Sequence, residues 1–276
     1  MKKIGLLLLL TFACSALQAQ TMLSYAQVLG KIYNHYDDTT QTAELTCVTQ
    51  AELRERTCSN GVAAEEVEVL LLSEAGNKLY VVTSATPVDH WNGSNCHACA
   101  PELGVAIFAW HENRWEIESI NTKVGKYGSW GRPPGANLIS LGPEYGVLLS
   151  LDDESGGESY SSTVLLAPIG KTVDEVWRIH DEQDDYGDYD PKGVDGSSIR
   201  YRFSSAIRFD CIFTDSCSNG NGYFDIEVIS RGNDYDFEKK QYISKNFTDV
   251  YSFKDGKYVR VRHKVFRELP AKVTGK

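Results

Sequence analysis

The sequence lacks a long apolar run beyond its first residues, lacks enough positive charge to balance its acids and lacks the familiar catalytic signatures. The first absence excludes a bilayer-spanning helix within the body of the chain, because a membrane needs about 20 consecutive apolar residues. The second absence concerns partners. The chain has 28 Lys and Arg against 38 Asp and Glu, a formal net charge of −10. Nucleic acid and anionic lipid repel such a chain, and its field favours cations or a basic partner. The third absence concerns chemistry. No Gly-x-Ser-x-Gly elbow, His-Glu-x-x-His helix or phosphate-binding loop occurs. His111-Glu112 starts like a zinc helix, but Trp115 stands where the second His belongs. No cofactor is expected. A site assembled in space from distant residues leaves no such linear trace.

What is present begins with an export signal. Lys2 and Lys3 precede a mostly apolar stretch from Ile4 to Ala13, with five leucines in a row from Leu6 to Leu10. That is about half a membrane span. Small and polar residues follow, and cleavage is expected after Ala19, despite the bulk of Leu17. Residues 1–19 are therefore expected to be a signal peptide, and the mature chain to be periplasmic or secreted. Without Lys2 and Lys3 the count is 26 basic against 38 acidic residues, or −12. Cys14 offers the alternative of an acylated lipoprotein cysteine, which Thr11-Phe12-Ala13 fits poorly.

Of the seven cysteines, six follow the signal. They fall into three local pairs: Cys47 with Cys58, Cys96 with Cys99, and Cys211 with Cys217. An even number in an exported chain reads as disulfides, with local pairing the simplest of fifteen connectivities. Bridges across such short loops stabilise by about 2–3 kcal/mol each at most.

Helical spacing of Leu23, Ala26, Val28, Leu29, Ile32 and Tyr33 predicts a helix over 22–36. Residues 20–66 are expected to form a helical, disulfide-pinned segment. From Val67 onward, short apolar runs alternate with turn chemistry such as Glu112-Asn113 and Asp255-Gly256, the mark of β-hairpins. Residues 67–276 are expected to form a single all-β domain. Similar runs recur, with LYVVTSATP, YGVLLSLDD and YFDIEVISRG each heading a set. This suggests about three four-stranded antiparallel meanders, propeller-like or sandwich-like in arrangement.

Three stretches concentrate chemical groups. The first runs from Asp89 to Pro101 and holds His90, Cys96, His97 and Cys99. As a dithiol centre, Cys96 and Cys99 would exchange disulfides and His97 would stabilise a thiolate. With His90 or His97 the two sulfurs make three parts of a zinc shell, but the second ligand pair is missing. Haem attachment is excluded because Ala100, not His, follows the second Cys. The plainest reading is a bridge that braces a loop.

The second stretch is acidic. Asp184, Asp185, Asp188, Asp190 and Asp195 suit Ca²⁺, which takes six to eight oxygens. The EF-hand pattern fails, with Lys192 and Ile199 in ligand places. A solvated acidic loop is the simpler expectation.

The third stretch, Gly125 to Gly135, is a Gly- and Pro-rich loop carrying Tyr127, Trp130 and Arg132. These residue types are enriched at binding hot spots. Together the features point to an exported, disulfide-braced, non-enzymatic β protein that binds a partner in the cell envelope, a basic one by charge. A thiol–disulfide oxidoreductase and a Ca²⁺-dependent module are the alternatives.

Overall fold

The computed structural model describes residues 22–46, 62–87, 99–155, 158–184, 202–210, 222–236, 238–239 and 241–266. The described residues are predominantly antiparallel β, in two sheets, with one short helix. The expected signal peptide lies outside the described residues.

The helix α1 spans Tyr25–Ile32. Ser24 caps it: the Ser24 hydroxyl accepts from the Gln27 N–H, and the Gln27 side chain accepts in return from the Ser24 N–H. Val28, Leu29 and Ile32 form its buried face. The helix ends earlier than the periodicity predicts, because Tyr33 turns inward. Its backbone is extended, and its buried hydroxyl meets Thr83 Oγ1 at 2.6 Å. A tertiary contact thus overrides local helical spacing.

The first sheet holds β1 (Thr42–Thr46), β2 (Val62–Ala75), β3 (Lys78–Pro87), β4 (Glu102–His111) and β5 (Arg114–Lys126), in that order. β1 lies inside the segment expected to be helical, and β2 starts before Val67. The β4–β5 turn is the Glu112-Asn113 hairpin, with φ of 46° and 67°, the positive pair of a type I′ turn. Both faces of this sheet are buried. Leu79, Val81, Ala85, Ala106 and Phe108 pack against α1. Tyr80, Val82, Leu103, Val105 and Ile107 face the second sheet.

The second sheet has nine strands. They are β6 (Gly135–Ser140), β7 (Tyr145–Ser155), β8 (Glu158–Ile169), β9 (Thr172–Asp184) and β10 (Arg202–Asp210), then β11 (Asp225–Asp236), β12 (Gln241–Ser244), β13 (Phe247–Lys254) and β14 (Lys257–Val265). The order is β14-β13-β11-β10-β9-β8-β7-β6, with β12 beside β11. Val147, Leu149, Val164 and Leu166 face the first sheet and close a sandwich core. Their neighbours Leu165 and Ala167 point the other way, into a separate core with Trp177, Ile226, Val228 and Tyr258.

That separate core exists because the sheet rolls. β10 pairs with β11 from Arg202 to Asp210, but with β9 only from Arg202 to Ser204. The strands splay beyond that short join, and β14 comes back to touch β9. A Cβ on Gly256 would lie 3.7 Å from Ile169 Cδ1. The result is a half-barrel. The propeller-like arrangement is not what forms: the β9–β10 join fuses the later strands into one sheet, so the described strands make two packed sheets rather than three radial blades.

The two sheets are tied at the β5 edge. Ile120 N–H donates to the Lys171 carbonyl, Ser119 Oγ to the Gly170 carbonyl and Asn121 Nδ2 to the Val173 carbonyl. Lys78 spans the same seam, 3.0 Å from both Glu118 and Glu144.

Candidate binding cleft

β5 ends at Lys126 and β6 begins at Gly135, so residues 127–134 must cross from one sheet to the other. Tyr127 anchors the crossing. It is buried, and its hydroxyl donates to Glu175 Oε2 at 2.9 Å. Arg178 grips the same carboxylate through Nε at 2.9 Å and Nη2 at 2.6 Å, and lies 5.5 Å from the Tyr127 ring centre. Burial, then the bond to Glu175, pushes the Tyr127 hydroxyl well above its ordinary pKa. Hydrogen bonds from Arg178 hold the Glu175 carboxyl below the usual carboxylate range. Tyr127 is thus a structural anchor, and only Trp130 and Arg132 of the three nominated residues are exposed.

The exposure of Trp130 comes from its turn. Ser129 and Arg132 exchange backbone hydrogen bonds, with Trp130 and Gly131 between them at φ of 52° and 69°. Positive φ is unusual for a bulky residue. Here it projects the indole from the tip of a tight turn. Gly128 makes the turn possible: at φ 108° a Cβ would sit 2.0 Å from the Arg132 carbonyl oxygen.

The turn leans over β7. Between them lies an open cleft of about 650 Å³ lined by Ser129, Trp130, Arg132, Pro133, Pro134 and, from β7, Ser150 to Asp153. Ser129 Oγ donates to the Asp152 carbonyl at 3.4 Å. The cleft offers one large aromatic surface, one guanidinium and two carboxylates. Among the described residues that line it, neither His nor Cys stands beside Ser129 or Ser150. An aromatic face, a guanidinium and carboxylates are groups that recognise a partner by stacking and charge.

Two described residues of the cysteine segment, Cys99 and Pro101, bond to this turn. Gly131 N–H donates to the Cys99 carbonyl, and Tyr127 N–H to the Pro101 carbonyl. The β1–β2 and β3–β4 connections leave from the same end of the first sheet. Cys99 is the only cysteine among the described residues. Cys47, Cys58, His90, Cys96, His97, Cys211 and Cys217 lie outside them. So do Asp185, Asp188, Asp190 and Asp195. Asp184 ends β9, so the acidic run starts in a strand rather than a loop. Nearby, Asp181 accepts from the Ser161 and Thr163 hydroxyls.

One further cluster carries a base-and-orienter geometry. Asp249 is buried, with His263 Nδ1 at 2.5 Å and Arg260 Nη1 at 3.2 Å. Among the described residues no hydroxyl or thiol bonds to the other ring nitrogen of His263, so the nucleophile of a triad is missing from this set. The cluster pins β14 to β13.

Two features were missed along the chain. Asp152 and Asp153 face the nominated loop only because β7 passes beneath it, which no local pattern announces. The other was open to charge counting. Residues 254–276 hold eight Lys and Arg against two Asp and Glu, leaving 20 against 36 for the rest. No protein-family model, curated protein or solved structure matches the chain.

Proposed function

We propose that this chain is an exported, non-enzymatic binding protein of the cell envelope, and that the cleft between residues 128–135 and β7 is its contact surface. One observation carries the reading: the nominated Trp130 and Arg132 line one cleft with Asp152 and Asp153. The anchor beneath them, Tyr127 on Glu175 and Arg178, keeps the turn rigid, which lowers the ordering cost of binding. A bridge between Cys96 and Cys99 belongs to the proposal and would brace the segment whose carbonyl holds Gly131. The mixed charge of the cleft and the acidic chain favour a partner that brings basic and apolar side chains together.

The dithiol alternative has less behind it. Redox-active thiolates of this motif draw on a helix N-terminus, whereas Cys99 leads through Pro101 into β4. The test uses immobilised mature protein in envelope extract at low salt, with mass spectrometry of what is retained. Trp130→Ala and Arg132→Glu are each expected to lower retention of a defined partner about tenfold or more, the scale of a hot-spot contact. Retention indifferent to both substitutions overturns the cleft, and no retention at all overturns the binding role.

A further inference from the structure

β14 ends the nine-stranded sheet; it touches β9 where the sheet rolls, but no described strand pairs with its outer edge. Its valines are open to solvent: Val259, Val261 and Val265 are 40 %, 42 % and 60 % exposed. Cations interleave with them, namely Lys257, Arg260, Arg262 and Lys264. The strand is held firmly. It pairs with β13 from Lys257 to Val265, Asp249 clamps Arg260 and His263, and Phe266 N–H closes the end on the Asn246 carbonyl.

A rigid, apolar, unpaired edge is a template for another strand. Charge decides which one. A second copy of β14 would set cations against cations. The chain's own residues 267–276 add Arg267, Lys272 and Lys276 against one Glu268, so they are also mismatched. Both self-pairings are rejected, while an acidic strand is attracted.

We propose that β14 is a docking edge for an extended acidic segment of a partner protein, which adds to the second sheet as a further strand. Val259, Arg262 and Lys264 share one face of β14, opposite Ser252, Val250 and Thr248. A segment alternating acidic and apolar residues places its carboxylates along Arg262 and Lys264. About six residues, the ordinary strand length, suffice. Main-chain bonds supply affinity and the alternation supplies selectivity. This surface shares no residue with the cleft, so either assignment stands without the other.

The competing reading is that the cations only protect the edge. Fluorescence anisotropy separates the two, using the full mature chain and a labelled peptide of alternating Glu and Val. Binding is expected to weaken about tenfold or more in the double variant Arg262→Glu, Lys264→Glu, and to fall as salt rises. A peptide N-methylated at alternate residues, with its main-chain donors blocked, is expected to lose binding. Amide exchange of residues 259–265 is expected to slow in the complex, a readout that does not depend on the variant folding. Absent binding leaves only edge protection and overturns the proposal. Equal binding of the N-methylated peptide overturns strand addition in favour of a diffuse charge effect.

Discussion

β3 and β14 are strands of similar length and strong β propensity, and they meet opposite fates. β3 lies in the middle of its sheet with a core on each face, and Leu79, Tyr80, Val81 and Val82 are essentially inaccessible. β14 buries one side chain, Tyr258, and leaves its valines in water. Propensity made both strands, but position in the sheet decided burial. Stability therefore concentrates where the two sheets and α1 stack, while β14 is left available for contact.

The contrast breaks most visibly on truncation. Phe108→Ala, beneath α1, is expected to cost about 3–5 kcal/mol in urea unfolding, whereas Val261→Ala on the edge should stay within about 0.5 kcal/mol. Equal costs would mean that β14 is covered, and the comparison would collapse.

A pair of identical substitutions sharpens it at the next scale. A Cβ at Gly146 would lie 2.9 Å from Leu141 Cδ1, Leu165 Cδ1 and the Leu166 carbonyl oxygen. Gly146→Ala should destabilise by about 1–3 kcal/mol, as overpacking does. Gly30 sits in α1 with nothing within 4 Å of such an atom. Gly30→Ala should stabilise by about 0.5–1 kcal/mol. Thermal melts with opposite shifts confirm the distinction; shifts of one sign refute it.

A single hydrogen bond tests the anchor at the sheet crossing. Tyr127→Phe removes one hydrogen bond to a carboxylate that Arg178 still holds, so about 1.5 kcal/mol is expected. Because the Glu175 pKa is lowered in the fold, its contribution is complete above the ordinary Glu value of about 4.3 and is lost as pH falls below it. Unfolding midpoints between pH 7 and pH 3 should fall less steeply in Glu175→Gln than in the wild type. Parallel curves would remove Glu175 from the acid response.

Much of this architecture was legible because its signals are local. The hairpin at Asp255-Gly256 needs two residues of positive φ, here 49° and 84°, and Asp-Gly supplies them cheaply. The loop from Gly125 to Gly135 announced itself by Gly and Pro, and Trp130 and Arg132 do line a cleft. Tyr127, nominated with them, is buried instead of exposed, because its hydroxyl meets Glu175 far along the chain. β1 escaped notice because Thr42 to Thr46 is short and mixed, and gains its meaning from pairing with β2.

The sequence by itself determined that the described chain is strand-rich, where its tight turns fall and which Gly- and Pro-rich loop carries Trp130 and Arg132. These follow from side-chain shape and backbone dihedrals within a few residues. Only the tertiary structure decided that β9 joins β10, that the second sheet rolls, that Tyr127 is a strut and that a basic strand became an edge. Those outcomes depend on which apolar faces find each other across the fold, and that choice is made by burial summed over residues far apart in the chain.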